Sequence, residues 1–91
     1  MFRIEFKPQA VQHLKKIKRY HATAILDAIE RYLALEPERI SRASIRRLRR
    51  QQQTTFRLRA GEYRVFYDVQ EERVEVVRIL HKAETGGFYR E

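Results

Sequence analysis

Residues 55–81, TFRLRAGEYRVFYDVQEERVEVVRILH, can fold in few ways. Aromatic and β-branched residues dominate Tyr63 to Val69 and return in Val74 to Leu80, where Glu75 and Arg78 interrupt the apolar run. That composition suits a pleated, half-buried surface. Two turn sequences, Ala60-Gly61-Glu62 and Gln70-Glu71-Glu72-Arg73, divide the stretch into three short strands. A strand has a side-chain period of two, so neighbours leave opposite faces. Phe56 and Leu58 therefore share one face of the first strand, and Arg57 and Arg59 the other. On the middle strand Tyr63, Val65, Tyr67 and Val69 line one side, with Arg64, Phe66 and Asp68 on the reverse. The pattern predicts an antiparallel meander whose less apolar face carries arginines, and any active surface is expected there.

Upstream, Phe2, Ile4 and Phe6 alternate with Arg3, Glu5 and Lys7, which predicts a first strand. Pro8 ends it and suits the first turn of a helix. Ala10, Val11, Leu14 and Ile17 then recur at helical spacing, with Lys15, Lys16, Lys18 and Arg19 mostly on the other side. A break is expected near His21 and Thr23. A second helix follows with Ala22, Ile25, Ile29, Tyr32 and Leu33 on one stripe. Glu36-Pro37 stops it, since the residue before proline is pushed out of helical geometry. Phe2, Phe6 and Tyr32 are expected in the core. Residues 37–53 carry Ile45 and Leu48 among six arginines, at 39, 42, 46, 47, 49 and 50, and read as a short helix or an ordered loop. The expected fold is a two-layer α+β sandwich over 1–91, a single domain. Two N-terminal helices pack on a small antiparallel sheet in the order β-α-α-β-β-β, with the first strand along an edge.

Charge decides which partners such a surface could meet. Twenty Lys and Arg against twelve Asp and Glu give a net +8. A field of that sign attracts polyanions: nucleic acid, the ribosome, a membrane surface or an acidic protein. With no cysteine, disulfides, thiolate metal sites and thiol catalysis are excluded. No run approaches the ~18 apolar residues that span a bilayer. The first residues alternate and are too charged for a signal-peptide core. A cytoplasmic protein that uses no metal, no cofactor and no membrane is expected.

In this order, Phe2-x-Ile4-x-Phe6 before Ala10-x-x-x-Leu14, Phe56-Arg57-Leu58-Arg59, Glu62-Tyr63-Arg64-Val65-Phe66-Tyr67 and Arg78-Ile79-Leu80-His81-Lys82, with a final Tyr89-Arg90, resemble the RelE/ParE superfamily of toxins from type II toxin–antitoxin modules. The resemblance implies a small acidic antitoxin as partner and one of two activities. RelE-like members enter the ribosomal A site and cut mRNA. ParE-like members inhibit DNA gyrase without nuclease residues.

Metal-free RNA cleavage uses the 2′-hydroxyl as internal nucleophile. It needs a proton acceptor, a proton donor for the leaving 5′-oxygen, and cations around the phosphorane. Arg64 matches the family's catalytic strand arginine, and its planar fork fits phosphate. Arg57 stands where RelE-like proteins carry a lysine, and Thr55 where they carry another; an arginine holds charge but is a poor base, and the threonine holds none. His81 and Lys82 end the last strand near the family's His or Arg, and Tyr89 matches its C-terminal tyrosine. The expected catalytic set is Arg64, His81, Lys82 and Tyr89. Arg46, Arg47, Arg49, Arg50, Arg57 and Arg59 are expected to bind RNA, with the ribosome and mRNA as partners. The alternatives are gyrase as target, or a family member that only binds antitoxin. Local readings compete: Arg64 could pair with Glu62 or Asp68, and the arginine run could be a solvated or antitoxin-covered face.

Overall fold

The computed structural model describes residues 1–41, 43–48 and 54–87. Its elements are β1 (Arg3–Phe6), α1 (Pro8–Lys16), α2 (Arg19–Leu33), β2 (Ile45–Arg47), β3 (Phe56–Ala60), β4 (Tyr63–Gln70), β5 (Arg73–His81) and a closing 3₁₀ helix, Lys82–Gly87. The strands form one sheet in the order β1-β5-β4-β3-β2. The α+β class and the two covering helices are as the sequence pattern predicts. The sheet is mixed, however: β1 runs parallel to β5, with Ile4 opposite Val74, while the other pairs are antiparallel. It also gains β2, whose three residues pair with Phe56–Leu58 where a helix or loop was expected.

Both hairpins close through two residues, because Ala60 faces Tyr63 and Gln70 faces Arg73. The first residue of each turn has positive φ, 62° at Gly61 and 56° at Glu71. A positive φ at that position alone matches a type II′ turn, whose twist suits flanking strands. Glycine adopts it freely, whereas Glu71 adopts it with strain.

The helices cover one sheet face. Ile25, Ile29 and Leu33 of α2 and Ala10 of α1 meet Ile45, Phe56, Leu58, Val65, Tyr67, Val74, Val76 and Ile79 in a single core. The apolar spacing that predicts both helices also selects these inward residues. The break between the helices falls at Ile17-Lys18, earlier than expected, so His21 and Thr23 lie within α2. Phe2 and Phe6 are partly buried against the core, but Tyr32 is 37% exposed. Past α2, Pro37 is buried, and its carbonyl accepts the Tyr67 hydroxyl at 2.6 Å. Burial pushes the Tyr67 phenol far above its ordinary value, so it stays a neutral donor.

A register slip sets which residues face the helices. Val65 pairs with Ile79 and Phe66 with Arg78, but Tyr67 pairs with Val76, leaving Val77 as an extra residue. Without this bulge, strict alternation would put Arg78 on the face of Val74 and Val76, inside the core. With it, Val74, Val76 and Ile79 all point inward, and Arg78 turns to the opposite face.

Candidate nucleic-acid interface

The face away from the helices is built from arginines in cross-strand register. One row crosses four strands: Arg46, Arg57, Phe66 and Arg78. The next row holds Arg59, Arg64 and Leu80. Two of these neighbouring pairs, Arg46–Arg57 and Arg59–Arg64, put like charges directly opposite each other, an arrangement that opposes sheet pairing. The centre of this face is closed, since Phe66 is fully buried and Arg57 is 4% exposed, with an Nη donating to the Ser44 carbonyl at 3.4 Å. Arg46 and Arg59 are exposed and Arg64 half-buried, so these are the charges an approaching polyanion would meet.

Arg64 is oriented by backbone. One Nη donates to the carbonyls of Gly61 and Tyr63, both at 3.0 Å, so the guanidinium is held at the hairpin end. It pairs with neither acid weighed for it. Asp68 instead accepts the Thr55 N–H at 2.7 Å, and Glu62 bonds Lys82 at 3.1 Å. The Lys82 hydrogen bond, with the lysine's charge, holds the Glu62 carboxyl below its ordinary value. At the far edge Glu75 meets Lys7 at 3.8 Å and Arg73 at 3.1 Å, and Arg73 also reaches Glu5 at 3.6 Å. The local acids thus gather at the ends and the β1 edge of this face.

The structure divides the residues expected around one phosphate. His81 lies opposite Tyr63 and Arg64 opposite Leu80, so His81 and Arg64 leave opposite faces of the sheet. The His81 ring packs edge-on to Tyr63 at 5.3 Å, and its Nδ1 accepts the Ala83 N–H at 3.1 Å. Lys82 is exposed and tied to Glu62. Arg47 also leaves the arginine rows: it sits opposite Phe56, with its guanidinium carbon 5.7 Å from that ring's centre. Arg49, Arg50 and Tyr89 lie outside the described residues. Arg78 is the member of the rows that alternation alone overlooks; the adjacent Val76-Val77 is the sequence trace of the bulge that turns it outward. Among the described residues no group of three or more His, Cys, Asp or Glu could hold a metal ion. No helix among them is long and apolar enough to cross a membrane.

Residues 4–86 match the family model of the ParE toxin of the type II toxin–antitoxin system parDE. This chain belongs to that toxin family. The toxin's fold is shared by solved complexes. It is similar to a chain of the RelBE2 toxin–antitoxin complex from Mycobacterium tuberculosis, at 26% identity and TM-score 0.70, covering 88% of this chain and 96% of that one. The RelB–RelE antitoxin–toxin complex from Methanococcus jannaschii is similar at 20% identity and TM-score 0.69, covering 94% and 99%. The YoeB–YefM complex from Staphylococcus aureus follows at 22% identity and TM-score 0.61, covering 89% and 97%. None of the curated protein sequences matches.

Proposed function

We propose that this toxin inhibits translation by ribosome-dependent cleavage of mRNA, and that the arginine face is its RNA-binding surface. The observation that carries this reading is the opposed pair Arg59–Arg64, on the sheet face that also bears Arg46 and Arg57. Such a pair opposes pairing in the free protein and is relieved when a phosphate chain lies between the charges. Arg64, anchored by two carbonyls, presents a fixed cation to a phosphorane. Arg46 and Arg59 track the backbone on either side, and Arg57 supplies charge from below. Tyr89 is the proton-transfer group this reading assigns to the tail. His81 leaves the other face of the sheet, and Lys82, tied to Glu62 at the hairpin end, adds charge beside Arg64 rather than a proton-transfer group. An antitoxin is the partner of this toxin, as the toxin–antitoxin pairing of the structural neighbours supports, and charge complementarity assigns the arginine face as the surface it covers.

A second reading, non-enzymatic inhibition of DNA gyrase, is favoured by the match to the ParE family and by the separation of His81 from Arg64. Primer extension on a defined mRNA in a purified translation system separates the two. Cleavage within the A-site codon, dependent on ribosomes and abolished by Arg64→Ala in a folded protein, supports the nuclease. An intact message with loss of gyrase supercoiling overturns it.

A further inference from the structure

On the opposite side of the sheet, where the two helices meet the ends of β4 and β5, lies a cleft of about 560 Å³. The toxin has three histidines, and all three line this cleft: His13 from α1, His21 from α2 and His81 from β5, together with Lys16, Lys18 and Tyr63. The three come from different elements, far apart in sequence, and only the tertiary fold assembles them.

The imidazoles of His13 and His81 are fixed as donors. The Nδ1 of His13 accepts the Ile79 N–H at 3.1 Å, and that of His81 accepts the Ala83 N–H at 3.1 Å. An imidazole with Nδ1 so occupied carries its proton on Nε2 when neutral. Both rings therefore offer an N–H without having to become charged. Lys16 and Lys18, both exposed, add ammonium donors. Glu84 is the one acid of the lining, and its carboxylate already accepts the backbone N–H of His81 at 3.1 Å. Ring contacts complete the wall: His21 to Tyr63 at 5.7 Å and Tyr63 to His81 at 5.3 Å. Small-molecule sites fall in the range of ~300–1,000 Å³, with a few convergent polar groups beside aromatic walls.

We propose that this cleft binds a phosphate-bearing small molecule of mononucleotide size, its phosphate held by Lys16, Lys18 and the imidazole N–H groups and its base set against the Tyr63 and histidine rings. The site is separate from the arginine face and does not depend on the RNA-cleavage reading. Donor-rich lining selects an oxyanion, and ring walls favour a nucleoside attached to it over the free ion.

The test is a titration of the isolated toxin with adenosine 5′-monophosphate, inorganic phosphate and adenosine, following the histidine ring signals by NMR against a chloride control of equal ionic strength. The monophosphate is expected to shift all three histidines saturably, and Lys16→Gln with Lys18→Gln to weaken it about tenfold. Backbone signals report whether that double variant stays folded, and the wild-type titration stands without it. Equal affinity for phosphate and the monophosphate overturns the assignment of a nucleotide, since the rings would then contribute nothing. Absence of saturable shifts with either phosphate probe, equal binding of adenosine, or matching shifts in chloride overturns the proposal.

Discussion

Replacing Arg59 by Gln separates what the arginine face does for the fold from what it does for a ligand. Arg59 is exposed and lies directly opposite Arg64. Opposed residues have Cβ atoms ~5 Å apart, and long side chains can splay further. Two unit charges ~7 Å apart in water repel by about 0.6 kcal/mol, within the ~0.2–1 kcal/mol measured for cross-strand pairs. Gln keeps part of the aliphatic stem and the capacity to hydrogen-bond, so charge is the main loss. The variant should be more stable by roughly 0.3–0.8 kcal/mol, a rise in Tm of about 2–5 °C for a domain of this size. The gain should appear in low salt and vanish near ~1 M, where screening acts over ~3 Å. In the same variant, RNA affinity should fall, and the slope of log affinity against log salt should decrease by about one. Thermal melts at low and high salt, beside a salt series of RNA binding, measure both. A melting temperature that is unchanged or lower in low salt, with RNA affinity intact, would refute the idea that these arginines are held together for a polyanion.

Three further substitutions probe the scaffold. Tyr67→Phe keeps the ring stacked 5.5 Å from Phe56 but strips the buried Pro37 carbonyl of its donor; a loss of about 1–3 kcal/mol is expected by denaturant unfolding, and an unchanged midpoint would contradict it. Glu71→Gly relieves a φ of 56° and should stabilise by about 0.5–1 kcal/mol despite glycine's entropic cost, whereas a destabilised variant would show the turn unstrained. The His13 pKa is lowered, chiefly by burial and then by Arg78 and Lys16, against Glu84, which raises it. The native state thus favours neutral His13, which accepts the Ile79 N–H; its contribution is present above the ordinary imidazole value and lost as pH falls through the lower folded value. His13→Gln, an acceptor that does not titrate, should flatten the fall in Tm between about pH 8 and pH 5, and a fall as steep as in the wild type would remove His13 as its source.

Four strands and both helices were legible because each contains its own periodic signal. Phe56 with Leu58, Tyr63 with Val65, and Ile25 with Ile29 declare their faces by spacing alone. β2 carried no such signal. Ile45–Arg47 is three residues long and becomes a strand only by pairing with β3. The direction of β1 was hidden for the same reason: Phe2, Ile4 and Phe6 show an alternating strand, but alternation is identical in parallel and antiparallel pairs. Tyr32 lay on the helical stripe, yet the residues that α2 buries are Ile25, Ile29 and Leu33, and Tyr32 remains 37% exposed.

The candidate site divides along the same line. Sequence by itself determined that Arg57, Arg59 and Arg64 share a face, because a period of two follows from the backbone, and that a net +8 chain carries a field that attracts anions. Only the tertiary structure decided that His81 stands away from Arg64, that Arg78 joins Arg57 across Phe66, and that three histidines from separate elements meet at one cleft. The physical reason is parity. A single extra residue at Val77 inverts which side chains face which layer, and that slip is fixed by packing Val74, Val76 and Ile79 together under the helices.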